Sequence, residues 1–439
     1  MKKLVLWAGI LGCMAGFGEV SFSNVRVRQL WPFSKNVAVT FTANGVTGLV
    51  QVRATAHDGE VDLGLVPLTA HRTDITITAD GTYTFEFDPS AVPAAVARGI
   101  AKDFGVTLSA ETVPEEDVLY RIYDLSKTPG TPGQFRCVTA QALTNGVWGS
   151  WEPTIWPKVT AVKTPVWTGV TNDWSYVTTN LVLRRIPAGE FLMGCADDAD
   201  KKDVFDATRD ITQRVVRITK PYYIGVFPMT VRQYRMIYGA INNTGNENRP
   251  DSGESYYGLR GEADWPNERT VGAGGASHGS GTIIGSLRNQ IGVPTVDLPT
   301  EAQWEKAARA GAGGVYYDNS RQTHAAERSA IAWCQNNTPG GAGGARQPLG
   351  RLKPNNYGLY DMLGNLWEQV LDWQGGGAVE PAAVDPEGPT AAAEAFAGKR
   401  ILKGGAYNTG WQRITLHARS EVPVSAGSEM TWRVCIPAE

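Results

Sequence analysis

Leu298-Pro-Thr-Glu-Ala-Gln-Trp-Glu-Lys-Ala-Ala-Arg309 carries its own start signal for a helix. Thr300 is followed three residues later by Gln303, the reciprocal arrangement in which each side chain satisfies an amide that the first helical turn leaves without a partner. Trp304, Ala307 and Ala308 then recur at helical spacing and give that helix an apolar face. The same signal at Thr230-Val-Arg-Gln233 opens a second helix, with Val231, Tyr234, Ile237 and Tyr238 on one side. A shorter helix is expected from Ile283 through Leu287 to Ile291, stopped by Gly292. Further along come Tyr357-Gly-Leu-Tyr-Asp-Met-Leu-Gly-Asn-Leu-Trp-Glu368 and Lys403-Gly-Gly-Ala-Tyr407, separated by Gly-, Ala- and Pro-rich stretches at 271–281, 339–345 and 375–399.

These three blocks in this order, with Ile186-Pro-Ala-Gly-Glu-Phe-Leu-Met-Gly194 before them, resemble the formylglycine-generating enzyme domain, also called the sulfatase-modifying factor domain, over residues 181–439. The resemblance implies an α+β fold of the C-type-lectin-like kind, with few helices and much irregular structure. It also implies a chemistry to look for, residue by residue. Enzymes of the family oxidise a substrate cysteine with copper held by two thiolates just after the Gly-Gly-Ser block, and soft thiolates are what Cu(I) demands. Here Ala406 stands at the Ser, Thr409 at the first Cys and Ile414 at the second, and no cysteine lies between Cys334 and Cys435. Copper is therefore not expected. A second branch of the family uses iron held by histidines. The five histidines here, His57, His71, His278, His324 and His417, show no metal-binding spacing.

The family's enzymes also bind a structural calcium in the second block. The matching positions are Asp361 and Glu368 by side chain and Gly364 and Leu366 by backbone carbonyl, an oxygen set that suits calcium. Gln369 stands where the family usually has Trp. Lectin-like members of the family use the segment between the Gly-Gly-Ser-Trp block and the final Gly-Phe-Arg-Val as a ligand surface. The corresponding stretch here runs from Gly404 to Trp432-Arg-Val-Cys435, and makes Tyr407, Asn408, Thr409, Trp411, Gln412, Arg413 and His417 the candidate contacts for a protein or glycan ligand.

Residues 20–90 read differently. Apolar side chains alternate with polar ones at Val37, Val39 and Phe41; Val50, Val52 and Ala54; Ile75 and Ile77; and Tyr83, Phe85 and Phe87, the period of half-buried strands. Asn44-Gly45, Asp58-Gly59 and Asp80-Gly81 supply hairpin-type turns near their ends. Val118–Tyr123 and Gln134–Val138 add further strands around a Pro/Gly loop, and an immunoglobulin-like β-sandwich over 19–150, with a connection at 151–180, is the expectation.

A chain of 439 residues exceeds one hydrophobic core. Its net charge of −3, with no basic run, excludes a nucleic-acid partner. Met1-Lys-Lys3 followed by the apolar run Leu4–Leu11 reads as a bacterial export signal over 1–18, too short to form a transmembrane segment. The mature chain is then periplasmic, at the cell surface or secreted, and Ile10-Leu-Gly-Cys13 offers a lipoprotein alternative. Cys137, Cys195, Cys334 and Cys435 remain, as disulfides in any of three pairings or as buried thiols. Gly275-Ala-Ser-His-Gly279 matches a serine-hydrolase pattern, yet lacks the strand before it that the motif needs. The acidic stretch Asp197–Asp210 lacks the Gly and Glu of a calcium loop and reads as solvated. The sum is an exported two-domain protein whose second domain binds a ligand without catalysis; a formylglycine-generating oxidase with another ligand set is the alternative.

Overall fold

A computed structural model of the chain describes residues 20–30, 36–67, 74–92, 94, 103–131, 133–144, 165–195, 212–239, 246–261, 282–317, 329–375, 382–389, 398–427 and 429–438. The segments holding the export signal, Cys13, Asp197–Asp210, and Gly275–Gly279 lie outside these. The chain divides into two compact units, one of residues 1–119 with 130–150, the other of 120–129 with 151–439.

In the first unit, β1 (Ser21–Gln29), β2 (Val37–Asn44) and β6 (Gly81–Phe87) form an antiparallel sheet in the order β1-β2-β6. A second sheet centres on β3 (Leu49–Asp58), flanked by β4 (Val61–Leu65), β5 (Asp74–Ile77) and β7 (Phe104–Val113). The expected alternation holds. Val37, Val39 and Phe41 join Val50, Val52, Ala54, Ile75, Ile77, Phe85 and Phe87 in one apolar cluster, with the Phe41 ring stacked 5.7 Å from that of Tyr83. On the outer face of β2 and β6 the intervening threonines pair, Thr40 with Thr84 at 2.9 Å and Thr42 with Thr82 at 3.2 Å. Of the three turn pairs only Asp58-Gly59 closes a hairpin, between β3 and β4. Asn44-Gly45 and Asp80-Gly81 carry the chain from one sheet to the other, because β2 and β6 pair with each other and not with β3 or β5.

Residues 120–129 belong to the second unit, where Tyr120–Asp124 of β8 (Val118–Asp124) pair with β10 (Asn180–Ile186). Beyond β10 that sheet continues through β13 (Tyr222–Gly225) to β19 (Cys435–Pro437). A three-stranded sheet joins β11 (Gly189–Met193), β12 (Arg214–Ile218) and β15 (Ala382–Val384); a four-stranded one has the order β17-β16-β14-β18, from Arg419–Pro423, Lys399–Lys403, Trp367–Trp373 and Met430–Trp432. The helices fall where their caps put them: Val231–Tyr238 and Glu301–Arg309 both begin on a complete capping box, and Ile283–Ile291 ends on Gly292 in the left-handed conformation. Helices and sheets are thus mixed, as the α+β expectation has it. All four described cysteines are buried thiols. Among the described residues no helix is long and apolar enough to cross a membrane.

Candidate functional site

The three sequence blocks meet in the second unit around buried charge. Every residue of the helix Glu301–Arg309 is buried, charged ones included. Charge this deep is stable only when paired and hydrogen-bonded. Lys403, at the end of β16, reaches Glu301 at 3.3 Å and Glu305 at 3.0 Å. Arg419 donates Nε to Glu301 at 2.5 Å and a second N–H to the other oxygen, a two-pronged pair. Arg309 donates to Glu305 at 2.7 Å and to the Gly194 carbonyl at 2.6 Å, so the opening block is tied in as well.

The second block is a turn built to wrap this helix. Asn355 donates to the carbonyls of Ala307 and Ala308 at 2.8 and 3.0 Å and so satisfies the helix C-terminus. Gly364 has φ 75°, and a Cβ there would lie 2.0 Å from the Trp333 carbonyl oxygen, which excludes any other residue. Glu368 then accepts three N–H groups: Trp304 Nε1 at 2.7 Å, Arg433 Nε at 2.9 Å and Arg433 Nη2 at 2.8 Å. The same guanidinium also serves the carbonyls of Gly225, Val226 and Tyr360.

The proposed calcium ligands lie in this turn. Asp361 is fully buried and takes one good N–H, from Gly350 at 2.8 Å, and a long one from Asn365 at 3.4 Å. Burial pushes its carboxyl up to about 6; the Gly350 amide, the Arg433 charge and Asn365 oppose that rise, and the Glu368 charge adds to it least. Three of roughly four lone-pair positions on Glu368 are filled, so Oε1 keeps one for a further partner. An under-compensated buried carboxylate beside a carboxylate with a spare lone pair fits calcium. Among the described residues no group of three or more His, Cys, Asp or Glu side chains could hold a metal, and the calcium set, with two carboxylates and two carbonyls, does not require one.

The third block shows what replaces the oxidase positions. Ala406 is wholly buried, and Thr409 spends its hydroxyl on the Ala406 amide at 3.3 Å while its own amide bonds the Ala406 carbonyl at 2.9 Å. Ile414 is buried against Gly405, where a Cβ would come within 2.8 Å of it. A methyl-bearing alcohol and a hydrocarbon do not fit copper.

The contact residues divide. Gln412 and Arg413 are exposed and Asn408 and Trp411 partly so, on a short turn at Trp411–Arg413. Tyr407 and Thr409 are buried, and Tyr407 and Asn408 both donate to Glu429, at 2.7 and 2.5 Å. His417 is also buried, beside Met193, Gly194, Arg214, Glu301, Glu305 and Arg419 at a recess of about 10 Å³, room for about one water. Tyr407 and His417 are therefore packed residues and not exposed anchors. Sequence reasoning missed Arg433, Lys403 and Arg419 as the counter-charges of the blocks, although each lies in or near a motif.

Two more carboxyls are strained by burial. Asp372, whose Oδ2 accepts the Glu301 amide at 2.6 Å, is pushed up to about 7 by burial and by the Glu301 charge. Asp251, bonded to Trp432 Nε1 at 3.2 Å, is pushed up to about 7 chiefly by burial. Each holds its proton more tightly folded than unfolded, so the stability it confers is full below about pH 4 and is lost as the pH rises through about 7. Glu301 and Glu305 are held below their usual range by Arg419, Lys403 and Arg309 despite burial, and lose their contribution as the pH falls through the acid range. The melting temperature is expected to peak in mildly acidic buffer and fall toward pH 8, and Asp372→Asn, which keeps the acceptor for Glu301, should flatten that upper limb. A thermal scan across pH checks this; an upper limb equally steep in the variant contradicts it.

The family described as sulfatase-modifying factor enzyme 1-like domain matches residues 175–436. The chain is 30% identical over 166 residues to a formylglycine-generating enzyme of Streptomyces coelicolor, covering 32% of this chain and 47% of that one. It is 28% identical over 165 residues to the serine/threonine-protein kinase pkn1 of Chlamydia pneumoniae, covering 38% of this chain and 20% of that one. The chain thus spans less than half the length of these relatives. Among solved structures, Treponema denticola variable protein 1 aligns with a TM-score of 0.44 and 19% identity, covering 59% of this chain and 95% of that one.

Proposed function

We propose a function from one premise: the chain belongs to the family of sulfatase-modifying factor enzyme 1-like domains, matched over residues 175–436. Within that family we read it as an exported, non-catalytic ligand-binding or scaffold protein. The observation that carries this reading is the pair Thr409 and Ile414, buried and committed to packing where the oxidase would hold copper between two thiolates. The first unit is the immunoglobulin-like β-sandwich of that protein, its two sheets sharing one apolar cluster. Export by the N-terminal signal, or tethering through Cys13, places it outside the cytoplasm. Oxidation by a different ligand set is the second reading, favoured by relatives that are formylglycine-generating enzymes.

The recognition surface is the turn at Asn408–Arg413, facing a protein or glycan. A double variant of Gln412 and Arg413 to Ala should keep the melting temperature near that of the parent, since exposed positions usually cost under about 0.5 kcal/mol each. Binding to peptide and glycan arrays should fall by roughly 30-fold or more, the loss of about 2 kcal/mol typical of an aromatic or Arg anchor. A large loss of stability with array binding intact would place recognition elsewhere.

Calcium is held by Asp361 and Glu368 with the carbonyls of Gly364 and Leu366, where it fixes the turn and takes no part in a reaction. Calcium at 100 times its dissociation constant should stabilise the native chain by about 2.7 kcal/mol. Asp361→Asn should abolish the increment, and an equal melting temperature of the parent chain in calcium and in chelator would refute the site.

A further inference from the structure

Three loops of the second unit are pinned to one another by the second sequence block. Asn365 holds Gln347 at both ends, accepting its amide at 2.8 Å and donating to its carbonyl at 3.1 Å, and Asp361 accepts the Gly350 amide. The backbone carbonyl of Asn365 takes the Tyr407 amide at 2.9 Å. The Leu349 amide bonds the Asn248 carbonyl at 2.9 Å, while the Arg249 carbonyl takes the Val231 amide at 3.1 Å. Arg249 and Arg346 thus stand on neighbouring loops held together by these hydrogen bonds, and the Arg346 guanidinium senses the charge of Asp251 first, then that of Arg249 and of Tyr407.

Both arginines are half-buried, and Arg346 Nε is buried without a hydrogen-bond partner among the described residues. Neither side chain makes an ion pair there. The acids around them are already committed. Glu247 is shared by Arg232 at 3.4 Å and Arg235 at 3.2 Å. Glu429 accepts from Tyr407 and Asn408, and Glu254 from the Tyr234 hydroxyl. Asp251, whose charge acts on Arg346 more strongly than that of Arg249, accepts the Trp432 indole at 3.2 Å and is pushed up to about 7 chiefly by burial, so it compensates Arg346 only in part near neutral pH. Two adjacent, partly desolvated guanidiniums repel each other and leave fork-shaped donors unused. A two-oxygen anion relieves both costs at once, because a guanidinium presents paired N–H groups at the spacing of carboxylate, sulfate or phosphate oxygens.

We propose that Arg249 and Arg346 form a subsite for an oxyanion, the carboxylate, sulfate or phosphate group of a ligand. The subsite goes beyond the recognition reading and does not need it: the arginines hold an acid whether or not the Asn408–Arg413 turn contacts a macromolecule. The test follows the arginine Nε–H resonances of the full chain by NMR during titration with acetate, sulfate and methyl phosphate at constant ionic strength. The Arg346 and Arg249 signals should shift saturably with at least one of the three, and the anion with the lowest half-saturation identifies the acid. Arg346→Lys, which keeps the charge and loses the fork, should raise the half-saturation concentration at least about tenfold without lowering the melting temperature. Shifts linear to the highest concentration for all three anions would overturn the proposal, as would an unchanged half-saturation in the Lys variant. If the variant does not fold, the titration of the unmodified chain decides alone.

Discussion

Arg433→Ala is expected to destabilise the second unit by about 3–5 kcal/mol, the cost of leaving a buried charge without its partner. Arg433 is fully buried and makes five contacts that disappear together: two to Glu368 and one each to the carbonyls of Gly225, Val226 and Tyr360. Glu368 would keep only the Trp304 indole N–H, and three carbonyls would lose a donor in a space that water enters poorly. In a unit of this size the loss corresponds to roughly 10 °C in melting temperature. The double variant Glu368→Gln with Arg433→Met should recover part of the loss, because it removes the stranded charge as well as the pair. A single variant that melts within about 2 °C of the parent would show that the pair does not hold the blocks together.

Much of the fold was legible because it depends on local rules. Thr230 with Gln233 and Thr300 with Gln303 are short-range signals, and both boxes close as the spacing requires. The alternation at Val37, Val39 and Phe41 likewise needs only its own strand to be half-buried. The misreadings come from what lies far away in sequence. Glu-Ala-Gln-Trp-Glu-Lys-Ala-Ala-Arg shows an apolar face only at Trp304, Ala307 and Ala308, yet every residue is buried, since Lys403 and Arg419 arrive from about a hundred residues on to neutralise Glu301 and Glu305. Asn44-Gly45 and Asp80-Gly81 carry hairpin chemistry but lead between sheets, a choice made by pairing and not by the turn.

The candidate site was legible in outline and not in depth. The blocks locate the turn around Asp361 and Glu368 and the loop after Gly405. They do not reveal that Tyr407 is packed against Glu429 or that His417 faces a water-sized recess. Arg249 and Arg346 carry no motif at all. They are brought together by Asn365 and by one backbone hydrogen bond between loops, which leaves no periodic trace in the sequence.

The central claim, that the family's oxidase chemistry has no seat here, is tested most directly by turnover. Full-length protein is supplied with copper, oxygen and a sulfatase-type cysteine peptide, and the peptide is followed by mass spectrometry. With Ala406, Thr409 and Ile414 at the family's reactive positions, no formylglycine above the protein-free control is expected, and no copper should co-purify at one equivalent. Formation of several equivalents of formylglycine per chain would contradict the account.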